Sequence, residues 1–104
     1  MLETKPWLET TGYAVEEELF MKPPSLPYII FTENNDVSGA DNKNCIVDRG
    51  ISIELYSEEI NKVAEKAIEN LLDEKAIQYS KDRTWLNTEM MFETIYDFVF
   101  KEKF

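Results

Sequence analysis

The residues of this chain able to do chemistry are almost all carboxylates. Its 104 residues include 21 Asp and Glu, 11 Lys and Arg, one cysteine (Cys45) and no histidine. Zinc sites and neutral-pH proton shuttles draw mostly on His, and thiol catalysis needs a base beside the Cys, so those chemistries lack their usual donors. Asn34, Asp36, Ser38 and Gly39 stand at the first, third, fifth and sixth places of an EF-hand-like calcium loop. The twelfth place is Cys45 where a bidentate Glu is needed, and the flanks read as strands, so no metal is expected there. Glu16 with Glu18, or Glu17 with an acid on a neighbouring strand, have the types for paired acid/base work. Acids are so abundant that some pairs fall close by chance, and no Gly-rich phosphate loop or activated serine accompanies them, so these read as solvated strand residues. Cys45 has Lys43 nearby but no histidine to activate it, and reads as a strand residue. No catalytic residue, metal or cofactor is assigned, and the chain is expected not to be an enzyme.

The net charge is −10 at pH 7. Nucleic acid is held mainly by Lys and Arg that displace counterions from phosphates, so this chain is a poor nucleic-acid binder. Its acids are spread along the whole length, with small clusters at Glu16-Glu17-Glu18, Glu58-Glu59 and Asp73-Glu74. That reads as a soluble surface kept apart by charge; the sharper readings are a DNA-repelling channel wall or a DNA mimic. With 43% hydrophobic and 31% charged residues the balance is globular. One domain spanning 1–104 is expected, large enough to fold without staples. A lone cysteine and the absence of a basic-then-apolar leader at Met1–Lys5 point to a reducing, cytoplasmic site of synthesis. The apolar run Tyr28–Phe31 is far too short to cross a bilayer, so no membrane role is expected.

The elements that would position these residues follow from periodicity. Ile60, Val63, Ala64, Ala67, Ile68, Leu71 and Leu72 recur at three- and four-residue spacing, predicting an amphipathic helix from Glu58 to about Glu74 with Ser57 as its N-cap. Lys62, Glu65, Lys66 and Glu69 fall on its solvated face. Val47 to Tyr56 alternates as a strand, Val47, Ile51, Ile53 and Leu55 on one side and Asp48, Ser52, Glu54 and Tyr56 on the other. Strands are also expected over Tyr13–Met21, Tyr28–Thr32, Ala76 to about Leu86, and Met90–Phe100. Gly12 would end a short N-terminal helix around Trp7 and Leu8 that Pro6 shortens. The prolines of Lys22-Pro23-Pro24-Ser25-Leu26-Pro27 make a stiff corner. The polar segment 33–44 reads as a mobile loop or long hairpin tip. Met90, Phe92, Tyr96, Phe98 and Phe100 share one face of the last strand, while Met91, Ile95 and Val99 alternate with Glu93 and Asp97 on the other. Either a neighbouring subunit or the N-terminal helix could cover the second apolar face. Trp7 and Trp85 are candidates for interface anchors or for the core. Asp48 and Arg49 lie on opposite faces and do not pair with each other; each could meet a cross-strand charge, and nothing assigns either a further role. The fold class is α+β, in the order α-β-β-β-α-β-β, with helices against a largely antiparallel sheet of about five strands.

Three stretches carry a resemblance: Lys22-Pro23-Pro24-Ser25-Leu26-Pro27-Tyr28, Gly39-Ala40-Asp41-Asn42-Lys43, and Ile53-Glu54-Leu55-Tyr56-Ser57 with the helix ending Leu71-Leu72-Asp73-Glu74. Together the chain resembles small prophage proteins of Gram-positive bacteria, similar to tail-terminator, tail-completion or head-tail joining proteins. Two positions depart from that pattern: Pro6 shortens the first helix, and Lys75-Ala76 stands where a glycine often ends the central one. The resemblance implies a structural virion-assembly protein that forms a ring, commonly a hexamer, at the end of the tail tube. Its partners would be other copies of itself, the tail tube protein and the head connector. It would sit in the host cytoplasm during assembly and then in the virion tail or neck. No catalytic residue is transferred, and Gly39, Ala40, Asp41, Asn42 and Lys43 become the candidate oligomer or partner contact. Acids facing the lumen would repel passing DNA within a Debye length of about 8 Å. The rival class is an acidic DNA-mimic inhibitor of a nucleic-acid-binding protein.

Overall fold

The structure, a computed structural model, describes residues 2–38 and 46–103, side chains 36–38, 46 and 103 excepted. Its elements run α1 (Thr4–Glu9), β1 (Ala14–Glu17), β2 (Tyr28–Ser38), β3 (Ile46–Ser57), α2 (Lys62–Glu74), β4 (Ser80–Leu86) and β5 (Met91–Lys103), the expected α+β order. One five-stranded sheet forms in the order β1-β2-β3-β5-β4. Three of its pairings are antiparallel, and β1 lies parallel to β2 because the connector 18–27 carries the chain back before β2 begins. Within that connector the Leu26–Pro27 peptide is cis.

The alternation of β3 sorts the sheet into two faces. Ile51, Ile53 and Leu55 stand in register with Phe98, Tyr96 and Thr94 of β5 and with Glu33, Phe31 and Ile29 of β2. Leu8 of α1 and Ala64, Ile68 and Leu72 of α2 close over this side, all fully buried. Trp7 of α1 meets Phe98 edge-on at 6.4 Å, so both helices cover the same face. On the opposite face, among the described residues, the one aromatic cover is Phe20, packed edge-on against Tyr28 at 5.3 Å. The second apolar face of β5 is therefore not covered by the N-terminal helix.

Several boundaries depart from expectation, each for a local reason. Ser57 is not a helix cap but the last residue of β3, paired with Phe92 and buried. Helix α2 starts at Lys62, where the Asn61 side chain accepts the Ala64 amide at 3.0 Å. Ile60 therefore precedes the helix, and Val63 faces solvent at 76% exposure instead of joining the core stripe. Strand β1 stops at Glu17 because Glu18 adopts φ +66°. Beyond that break Leu19 and Met21 project outward, Met21 at 91% exposure, and neither continues the strand face. After α2, Ala76 takes φ +53° in the place where the resemblance expects glycine. The Ile77 amide reaches back to the Leu72 carbonyl at 3.0 Å, a left-handed helix end usually reserved for Gly. This turn delays β4 to Ser80, so Ala76–Tyr79 is not strand, although Ile77 and Tyr79 still pack on the core. Met90, expected on the β5 face, lies in the β4–β5 turn with φ +55° and is exposed. Gly12 ends the α1 region with φ +91°, as its position predicts. No helix among the described residues is long and apolar enough to cross a membrane.

Candidate functional site

The acids sort into two environments that the sequence does not distinguish. On the helix-covered face they are neutralised. Arg49, 6% exposed, donates from Nη2 to Glu33 at 2.7 Å and to Thr4 Oγ1 at 2.9 Å, and from Nη1 to the Leu2 carbonyl at 2.6 Å and to Glu102. Asn35 and Phe100 are its register partners, so Glu33 and Glu102 occupy the diagonal positions from which long side chains meet across strands. The other cluster centres on Glu65, expected to be solvated but only 3% exposed. Arg83 grips it with two bonds of 2.7 and 2.8 Å, and Lys81 donates at 2.9 Å to Glu65 and 2.7 Å to Glu69. Tyr96 Oη donates to Glu69 at 2.8 Å. Glu69 is half-buried, so it too departs from the solvated face assigned to it. The bidentate Arg83 contact holds the Glu65 carboxyl down at about 2 against the opposing effect of burial, with Lys81 adding to it. Trp85 is partly exposed and rests on Phe92 at 4.8 Å, whereas Trp7 packs on the core.

On the uncovered face, Asp48 is paired by Lys101, but among the described residues no base is paired with Glu54, Glu93 or Asp97. Glu54 of β3 neighbours Ile95 of β5 in register, and Tyr56 neighbours Glu93. Tyr56 Oη donates to Glu93 at 2.7 Å and also lies 3.2 Å from Glu54. Burial pushes the Glu54 carboxyl above its usual range, reinforced by Glu93 and then Asp97, while the Tyr56 contact pulls the other way. Burial first, and then its bond to Glu93, push Tyr56 upward, which keeps its hydroxyl a donor. A carboxyl raised in the folded state contributes stability that is full below its unfolded value and lost as pH rises through the folded one. Glu93→Gln is accordingly expected to lower the Glu54 titration midpoint and make the protein more stable at pH 7 than the wild type. Carbon-detected carboxyl titration and thermal melts check both; an unmoved Glu54 midpoint would show that the two groups are electrostatically independent.

Beside the acids runs a shallow trough of about 380 Å³ lined by Thr32, Asn34, Gly50, Ser52, Asp97 and Val99, among others. Its floor is Gly50, where an added Cβ would stand 3.3 Å from the Asn34 carbonyl. Val99 forms a wall at 58% exposure. Toward the far end, Lys101 approaches Asp48 at 3.3 Å.

The candidate contact residues Gly39, Ala40, Asp41, Asn42 and Lys43 lie outside the described residues, as does Cys45. Of the polar segment 33–44, residues 33–38 belong to β2. Among the described residues no group of three or more Cys, Asp or Glu is placed to hold a metal ion. Glu16 is ion-paired with Lys5 at 3.3 Å. Arg49 does meet cross-strand charges, Glu33 and Glu102, as its place on the strand allows, although the sequence gives it no role; Glu65 is assigned to the solvated face because its type alone does not show that Arg83 and Lys81 lie opposite it.

What fold and surface define is an α+β protein with two helices on one side of its sheet and, on the other, an acidic-and-apolar sheet face that no described helix covers. No protein-family model matches the chain, and no curated protein matches it. It is similar in fold to a chain of a solved structure described as "Virion of native gene transfer agent (GTA) particle". The TM-score is 0.62 at 15% sequence identity, covering 93% of this chain and 84% of that one.

Proposed function

We infer that this is a structural, non-enzymatic protein of a phage-like virion, assembling as a ring at the end of the tail tube as a tail terminator or head-tail joining protein. The single observation that carries this reading is the fold-wide likeness to a chain of a gene transfer agent virion, extending over nearly the whole length of both chains. The tail-end position rests on the sequence resemblance to prophage tail-completion proteins. A sheet face that no described helix covers fits a subunit that finishes burying its surface on assembly. A ring of chains each carrying −10 is negative overall, which suits a conduit that DNA must pass without sticking. It would assemble in the host cytoplasm and remain in the tail or neck, against the tail tube protein and the head connector.

Deleting the gene from the element that encodes it and imaging the particles tests this. Overlong tails separated from full heads are the expected result. Normal tails on intact virions would overturn the assembly role and favour the second reading, an acidic DNA mimic. The unneutralised acids Glu54, Glu93 and Asp97 on one open face are the observation that favours it.

A further inference from the structure

We propose that the uncovered sheet face of one copy receives the outer face of helix α2 from the next copy. This rests on the ring reading above and specifies its contact. The outer face of α2 carries Lys62, Val63, Lys66 and Ala67 around a shallow apolar depression of about 500 Å³. Neither Lys62 nor Lys66 has an ion-pair partner among the described residues, unlike Lys81, Arg83 and Arg49, which are committed within the fold. This surface is basic and apolar on a chain of net charge −10. The sheet face has the complementary make-up, with Val99 standing out beside Asp97 and Glu93 and no described base paired to those two acids.

Spacing agrees with charge. Val63 and Lys66 are three residues apart on a helix, so their Cβ atoms lie about 5–6 Å apart on one side. Val99 and Asp97 are two residues apart on one side of a strand, about 6.6 Å. Val63 can therefore seat against Val99 at the trough while Lys66 reaches Asp97. Gly50 removes the side chain that would fill the trough floor, which lets an incoming ridge approach closely. An ammonium brought to this face relieves the repulsion among Glu54, Glu93 and Asp97, so the contact strengthens where the isolated chain is least comfortable. Helix-to-sheet contact joins different surfaces of two copies, a head-to-tail interface that closes into a ring when the rotation closes.

The test uses full-length protein carrying Cys45→Ser, Val63→Cys and Val99→Cys, assembled in particles and oxidised. A ladder of disulfide-linked copies, absent when either new cysteine is omitted, is expected. Lys66→Glu and Asp97→Lys should each abolish incorporation, and the two together should restore it at least tenfold over either alone. Circular dichroism melts of the charge variants separate a lost contact from a lost fold. Particles that contain the chain in a ring but give no 63–99 link and no charge rescue overturn this docking and leave the ring standing. Particles that form normally without the chain overturn the ring and the docking together.

Discussion

An Arg49→Met variant is expected to lose about 3–5 kcal/mol of folding stability, the cost of stripping one partner from a buried charge cluster. The guanidinium is the sole described cation facing Glu33 and Glu102, and it also ties down Thr4 and the Leu2 carbonyl. Its loss leaves two largely buried carboxylates facing each other across the sheet and releases the start of α1. At about 4–8 °C per kcal/mol for a domain of this size, the melting temperature drops far enough for a simple thermal scan to read it. Adding Glu33→Gln and Glu102→Gln to the same chain should recover most of the loss, because the penalty belongs to the unpaired charges and not to the missing side-chain volume. A single Arg49→Met variant melting within about 1 kcal/mol of wild type would show that water or relaxation satisfies the acids instead.

Acid titration of stability is the second large effect, and it centres on Glu65. Its carboxyl is held at about 2 by Arg83 and then Lys81, well below the ordinary Glu value of about 4.3. A depressed carboxyl contributes stability that is present above the unfolded value and is lost as pH falls through the folded value. Between pH 5 and pH 2 the wild type should therefore shed on the order of 3 kcal/mol through this residue. Glu65→Gln should be less stable at pH 7 and should show a flatter acid limb, so that the two curves approach one another near pH 2. Urea unfolding at stepped pH measures both slopes. Parallel curves would mean that the Arg83 and Lys81 contacts contribute little. Glu54 acts in the opposite sense, since its contribution is gained as pH falls; the double variant Glu65→Gln, Glu93→Gln separates the two.

Much of the architecture was legible in the sequence because it depends on short-range periodicity. Alternation in Val47–Tyr56 assigns the two faces of β3 correctly, since a strand has a period of two and one buried side. The helix stripe Ala64, Ile68 and Leu72 is also where periodicity places it. Boundaries failed where tertiary geometry overrode local signals. Ser57 has the type of a helix cap, but β5 extends far enough to keep it in the sheet, and the cap passes to Asn61. Met21 keeps strand spacing, yet the left-handed Glu18 ends the strand before it. The site was less legible than the fold. Glu65 and Glu54 are both Glu on amphipathic elements; one is held between Arg83 and Lys81, the other beside Glu93 and Asp97, and nothing within either segment separates them.

The sequence by itself determined the order of elements, the two faces of β3, the acidic character of the whole and the lack of histidine chemistry. These follow from composition and from periods of two and 3.6 residues, both local properties. Tertiary structure alone decided that both helices share one face, that Arg49 and Glu65 are buried and neutralised, and that Glu54, Glu93 and Asp97 are left together on an open sheet. Those outcomes depend on which strands become neighbours and in what register, so residues up to 53 positions apart, as Arg49 and Glu102 are, must meet before their charges have any meaning.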